Sequence, residues 1–186
     1  MQPQAAVCRV EIGHSIMLHS GAWIDLTSPS TSNFRIEDIA HGLAHLCRYA
    51  GQCRDFYSVA EHSIFVCDMV PEHGLSALLH DAAEAFLGDI TRPLKQMLPD
   101  YRRIEHEVQN AIFSRFNLPL KPDPAIKHAD LRVLAAEQRQ IMPVGTDEWA
   151  ASTGIVPAPI IVRHLLPAVA KDEFLSRFAT LERQRT

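Results

Sequence analysis

Along most of the chain apolar residues recur at the three- and four-residue spacing of helices packed on one side. The exception lies near the N-terminus. In residues 15–26, SIMLHSGAWIDL, two short apolar stretches flank Ser20–Gly21. That pattern predicts a β-hairpin, with Gly21 free to take the positive φ of a tight turn. TSPSTSN (27–33) reads as a loop by its composition. Ile36, Ile39, Leu43 and Leu46 then mark a helix that stops at Gly51. SVAEHSIFVCDMV opens on Ser58 and Glu61 in capping-box spacing, which puts His62 in the first turn of a second helix. GLSALLHDAAEAFLG reads as a third helix, ended by Gly88. Thr91 is placed to cap a short helix that tolerates Pro93 in its first turn. Ile104, Val108, Ile112 and Phe116 share one face of the next helix, and Asp123–Pro124 begins AIKHADLRVLAAEQRQIM, which ends before Pro143. A stretch interrupted by Pro and Gly (143–167) leads to a final helix over about 167–184. No repeat, low-complexity tract or domain boundary appears. The expectation is a single all-α domain over 1–186, with a helical core at about 34–142 and a small hairpin at about 15–26.

Composition narrows this picture modestly. The 186 residues are enough to bury a sizeable core, and a formal charge of −4 gives no general footprint for duplex nucleic acid. No apolar run approaches the roughly 20 residues of a membrane-spanning helix. Cys8, Cys47, Cys53 and Cys67 form no C-x-x-C pair, and no signal-peptide pattern opens the sequence. They read as reduced thiols of a cytoplasmic protein. The unusual count is ten histidines.

The segment LLHDAAEAFLGDITRPLK (78–95) sets ionisable groups into an apolar helical run. Glu84 follows His80 by four residues and Asp81 by three, so the three share a broad face. A carboxylate in such surroundings is costly unless paired or bound to a cation. A salt bridge, a satisfied core histidine beside a surface acid, and a metal site are the competing readings. His62 in SVAEHS and Asp130 in IKHADLRVLAAE add a second imidazole and a second carboxylate from two further helices. Such a mixed nitrogen and oxygen set suits a divalent transition metal (Mn, Fe, Co, Ni or Zn) better than an all-oxygen Ca or Mg cage.

The order His62, His80–Asp81, Asp130 resembles the H…HD…D signature of HD-domain metal-dependent phosphohydrolases. CRYAG…FYSVAEHS, LLHDAAEAFLGDITRPLK and KHADLRVLAAE resemble blocks of the bacterial and phage branch that contains the 5′-deoxynucleotidases, over residues 36–142. The resemblance implies an HD-type helical bundle in which His62, His80, Asp81 and Asp130 are metal ligands. Glu84 and Asp89 match an HD-x-x-E-x4-D extension whose acids position water and substrate. Arg48 matches a phosphate-contacting arginine, with Arg92 and Lys95 as further positive charge. The family's Arg–Trp pair is Arg48–Tyr49 here, and that Trp is associated with rejecting ribose. The implied activity is release of phosphate from deoxynucleoside 5′-monophosphates, in a homo-oligomer (dimer or higher). The alternatives are a deoxynucleoside triphosphate triphosphohydrolase and a non-catalytic nucleotide-binding module.

Other features carry plainer readings. His41 and His45 have zinc-helix spacing in HGLAH, but Gly42 stands where a metalloprotease needs its Glu, so helix-packing or surface histidines are expected. His128, two residues before Asp130, points away from it. His14, His19, His73, His106 and His164 read as surface residues without partners. Glu61 is explained by capping, Arg102 and Arg103 by a solvated face with Glu105 and Glu107, and Cys47 and Cys53 as small buried residues at a helix end. Phe56 and Tyr57 fit core packing or stacking on a base.

Overall fold

The structure is a computed structural model that describes residues 13–185; Cys8 lies outside the described residues. It is mostly helical, with a two-stranded antiparallel sheet of β1 (Ser15–Met17) and β2 (Trp23–Asp25) near the N-terminus. Ser15 pairs with Asp25 and Met17 with Trp23, and Gly21 turns the hairpin at φ 83°. Ile24 points inward and is fully buried, which anchors the hairpin on the helices.

The helices are α1 (Ile36–His45), α2 (Val59–Met69), α3 (Gly74–Leu78), α4 (Glu84–Leu87), α5 (Arg92–Met97), α6 (Pro99–Arg115), α7 (Pro124–Ile141), α8 (Glu148–Thr153) and α9 (Pro167–Arg185). Every residue from Val59 to Cys67 is buried, so α2 is the central rod, and α1, α3, α7 and α9 pack against it. Among the described residues no helix is long and apolar enough to cross a membrane.

Three departures from the sequence expectation shape the site. First, α1 ends at His45 rather than running to Gly51. Leu46 turns extended, and Cys47 forms a bridge with Ser58, with Arg48 N–H donating to Tyr57 O at 2.9 Å. Second, the expected third helix is broken between Leu78 and Glu84. In a continuous helix Leu79 C=O would accept from Ala83 N–H. Instead the Gln109 side chain of α6 is inserted between them, its Nε2 donating to Leu79 O at 2.8 Å and its Oε1 accepting from Ala83 N at 3.0 Å. A side chain wedged into the backbone ladder is a known cause of helix breaks. Third, Glu61 does more than follow a cap. Ser58 Oγ accepts from Glu61 N (3.1 Å), but the buried Glu61 carboxylate accepts from Arg163 N (2.7 Å) and Leu165 N (2.8 Å). It pins the segment before α9 to the central helix.

Smaller corrections follow. The Thr91 side chain makes no cap hydrogen bond, whereas Asp123 caps α7 through Ala125 N at 2.8 Å. On the face of Arg102 and Arg103, Arg103 pairs with Glu107 at 3.0 Å, while Glu105 turns to Lys95 at 2.6 Å. Several histidines expected to lack partners have them: His19 stacks on His41, His73 lies 3.6 Å from Asp123, His106 meets Asn110, and His164 meets the Phe56 carbonyl. Tyr57 is fully buried, as a core aromatic should be. His128 is exposed, away from Asp130.

Candidate metal centre

The first turn of α2, the break between α3 and α4, and the second turn of α7 bring His62, His80, Asp81 and Asp130 to one place. Among the described residues, His62, His80 and Asp81 offer ligand atoms that all lie within 4.8 Å of one another and could hold a metal ion. His62 Nε2 is 3.6 Å and His80 Nε2 3.2 Å from Asp81 Oδ2. Asp130 Oδ1 lies 3.3 Å from His62 Nε2 and 4.0 Å from His80 Nε2.

Both rings are fixed from behind. His80 Nδ1 is 2.8 Å from Ala77 O, a carbonyl that a continuous helix would give to the amide of Asp81. His62 Nδ1 is 2.6 Å from Glu137 Oε1. A carbonyl and a carboxylate only accept, so both Nδ1 atoms donate, and in a neutral ring Nε2 carries the lone pair. Both Nε2 atoms are buried without a hydrogen-bond partner. Two buried, unpartnered imidazole nitrogens aimed at two carboxylates are what a bound divalent cation would satisfy, and nitrogen with oxygen is a transition-metal donor set. The residues present fit a divalent metal.

Glu137 was not foreseen from the sequence. Its carboxylate is fully buried and also accepts from Tyr57 Oη (2.6 Å) and Tyr49 Oη (2.8 Å), with Arg48 Nε at 3.4 Å. Burial works against its charge, but Arg48 and then His62 outweigh that and bring its pKa down to about 2. Burial also opposes the charge on Asp81, yet His80 and His62 hold it well below the ordinary carboxylate range. Asp130 is lowered in the same way by His62, His80 and Lys127, the last at 2.5 Å from its Oδ2. For His62 burial and Arg48 disfavour the proton, but Glu137 and Asp130 prevail and raise its pKa to about 9.

The centre forms part of the wall of a cleft of about 530 Å³. Arg48, Tyr49, Glu84, Asp89, Arg92 and Lys95 all line it, together with Asp81, Lys127 and Asp130. Arg48 is nearly buried, with Nη1 3.8 Å from Asp81 Oδ2. It stands on a loop in which Tyr49 (φ 57°) and Ala50 (φ 51°) are both left-handed without being glycine, a strain of about 1–3 kcal/mol each that the surrounding contacts hold. Glu84 is buried, and its Oε2 has no partner. Burial, then Asp81 and Asp89, push its pKa up to about 8 in spite of Lys95, whose Nζ is 2.9 Å from Glu84 Oε1. Lys95 itself is raised, burial notwithstanding, because Glu84 and then Glu105, with Oε1 at 2.6 Å, answer its charge. Its ammonium is therefore engaged from both sides, and Arg48, Arg92 and Lys127 are the other cations of the cleft. A smaller cavity of about 360 Å³ backs onto the same Asp81, Glu84 and Lys95 from the side of α6.

No family model matches the chain. Among curated proteins it is 39% identical over 155 residues to the uncharacterized protein YfdR of Escherichia coli K12, covering 81% of this chain and 85% of that one. It is 40% identical over 161 residues to the uncharacterized protein RCAP_rcc00048 of Rhodobacter capsulatus, covering 78% and 82% of the two chains. With that identity over most of both partners, the chain belongs to the protein family that includes YfdR.

Proposed function

We propose that the protein is an HD-type, divalent-metal-dependent phosphohydrolase that releases phosphate from deoxynucleoside 5′-monophosphates. The observation that carries this reading is the pair of buried, unpartnered Nε2 atoms of His62 and His80, which meet the Asp81 and Asp130 carboxylates at the wall of an arginine-lined cleft. His62, His80, Asp81 and Asp130 would hold the metal. A divalent ion there polarises a phosphoryl group and acidifies water.

Charge favours the monophosphate. The cleft is lined by four cations (Arg48, Arg92, Lys95, Lys127) and four carboxylates (Asp81, Glu84, Asp89, Asp130). Lys95 is already committed to Glu84 and Glu105, Lys127 to Asp130 and Arg48 to Glu137, so a bound divalent ion leaves only a small positive excess. A phosphate monoester carries about −1.5 to −2 near neutrality and fits that excess, while a triphosphate exceeds it. Arg48, held by Glu137, presents its guanidinium to the phosphate as a fixed donor. Glu84, with a pKa near neutrality, is suited to accept a proton from the attacking water while the bond from phosphorus to the 5′ oxygen breaks. Asp89, just past the positive-φ turn at Gly88, orients substrate from the cleft wall.

A panel of deoxy- and ribonucleotides, with identification of the phosphate product, tests the reading. Orthophosphate from deoxynucleoside monophosphates is expected. Tripolyphosphate from a deoxynucleoside triphosphate would replace it with the triphosphohydrolase reading, and nucleotide binding without turnover would make the chain a binding module. Glu84→Ala should lower kcat by about 10²-fold or more with metal content unchanged; loss of metal in that variant would make Glu84 a ligand instead.

A further inference from the structure

Cys47 and Cys53 face each other across the loop that presents Arg48 and Tyr49 to the cleft. Their Sγ atoms are 3.6 Å apart, in contact and unbonded, and Cys53 Sγ–H also points at Arg48 O at 3.7 Å. Both thiols are partly exposed. The loop between them is held at its two ends: Arg48 N–H donates to Tyr57 O at 2.9 Å, and Arg54 N–H donates to Ile141 O at 3.0 Å. Within it, Tyr49, Ala50 and Gly51 take three successive positive φ angles of 57°, 51° and 75°. The chain doubles back there and brings the two sulfurs together although five residues separate them.

We propose that Cys47 and Cys53 are a redox-active dithiol, whose oxidation closes a disulfide across the Arg48–Tyr49 loop and whose reduction reopens it. The sulfurs need to approach from 3.6 Å to about 2.0 Å for the bond to form. With a peroxide as oxidant the balance is direct. The Cys47 thiolate attacks one peroxide oxygen, the O–O bond breaks, and a sulfenic acid and water form. The Cys53 sulfur then displaces hydroxide from that sulfenic acid, and its thiol proton leaves with it as a second water. Two thiols lose two electrons and two protons, and one peroxide becomes two waters. Burial and the hydrogen bond it shares with Cys47 push the Cys53 thiol up to about 11, which suits Cys53 to the resolving role. Because Arg48 follows Cys47 directly and its guanidinium sits 3.4 Å from Glu137 and 3.8 Å from Asp81, closure moves the phosphate-anchoring side chain. That last consequence rests on the function proposed above; the dithiol itself does not.

The test uses the full chain. Reduced protein is treated with stoichiometric hydrogen peroxide, remaining thiols are alkylated, and the protein is digested with trypsin. Cleavage after Arg35, Arg48 and Arg54 separates the two cysteines, so the disulfide appears as peptide 36–48 linked to peptide 49–54. The linked pair is expected in wild type, absent in Cys47→Ser and Cys53→Ser, and removed by dithiothreitol. Unlinked peptides carrying sulfinic acids, or linkage through Cys8 or Cys67, would overturn the dithiol. For the effect on the site, oxidised wild type should show a KM for deoxynucleoside monophosphate raised several-fold and restored by dithiothreitol, while Cys47→Ser, which lacks the peroxide-reactive thiol, keeps its KM after peroxide. Equal KM before and after verified closure would overturn the switch. If reduced wild type hydrolyses no monophosphate, the function proposed above fails, and the peptide linkage still decides the dithiol.

Discussion

Two groups of histidines in this molecule are built from the same side chains and differ in almost everything that matters. At the candidate metal centre the His62 and His80 rings are 5.3 Å apart. On the surface His19, His41 and His45 stack more tightly, at 3.8 Å and 4.1 Å between neighbours. The surface group has the more suggestive sequence, since His41 and His45 lie one helical turn apart. Its acid neighbour is already committed, however: Asp38 accepts from Ser20 N and Arg35 N, both at 3.1 Å. Burial and the neighbouring imidazoles of His45 and His19 lower the pKa of His41 against the pull of Asp38, so the crowded ring is held toward its neutral form. At the centre, each ring has an acceptor behind Nδ1 and a carboxylate before Nε2. Proximity of imidazoles does not make a metal site; acceptors and carboxylates delivered from other helices do.

The largest expected effect tests that contrast directly. Purified protein should bind about one divalent transition metal per chain, and chelation should abolish turnover. His62→Ala or Asp81→Ala should empty the site, while the double change His41→Ala, His45→Ala should leave metal content and activity as in wild type. Elemental analysis of the four proteins, with titration of the stripped forms, measures it. Metal loss in the surface variant would reverse the assignment of the two groups.

Glu137 allows a sharper version. It touches no metal in the proposed arrangement but fixes the ring of His62 from behind and answers Arg48. Glu137→Gln should weaken metal affinity about 10–100-fold, the usual cost of losing a hydrogen-bond partner behind a ligand. The His62 Nδ1 proton should move in the NMR spectrum of the variant, a change that mere loss of packing elsewhere would not produce. Unchanged affinity with an unchanged proton resonance would reduce Glu137 to a core filler.

Glu137 was also legible in principle. It follows Asp130 by seven residues, and Ala129, Asp130, Val133, Ala136, Glu137 and Ile141 are all buried on α7. An acid on a buried stripe was the signal that singled out Asp130, and the same signal stood two turns further along. The helices, the hairpin and the four proposed ligands were legible because each rests on local spacing or on an ion-forming residue in an apolar run. The break between α3 and α4 was not. No Gly or Pro marks residues 75–87, and a contact from 30 residues away, Gln109 on Leu79 O, opens the ladder. The early end of α1 is of the same kind, since pairing of Cys47 with Ser58 competes with a helix that local propensity would extend. Arg48 and Tyr49 are aimed by that competition, which is why their place in the cleft needed coordinates.

The smallest expected effect separates the two histidine groups by the sign of a slope. In the metal-free protein His62 titrates at about 9 folded against 6.5 unfolded. Between those values the folded state binds more protons, so stability is full below pH 6.5 and is lost as pH rises through 9. His41 is shifted the other way, below 6.5. Its folded state binds fewer protons than the unfolded chain, so its contribution is lost as pH falls through 6.5 toward the lowered value. Thermal unfolding in a chelator should therefore show a Tm that declines on the alkaline side through His62, together with Glu84, and, more weakly, on the acid side through His41. Metal should flatten the alkaline decline, because it binds the neutral imidazole that high pH provides. His41→Gln should flatten the acid decline by a few degrees at most, since His41 is only partly buried, and leave the alkaline limb alone. If instead His41→Gln changed the alkaline limb, the two groups would be coupled and the contrast between them would fail.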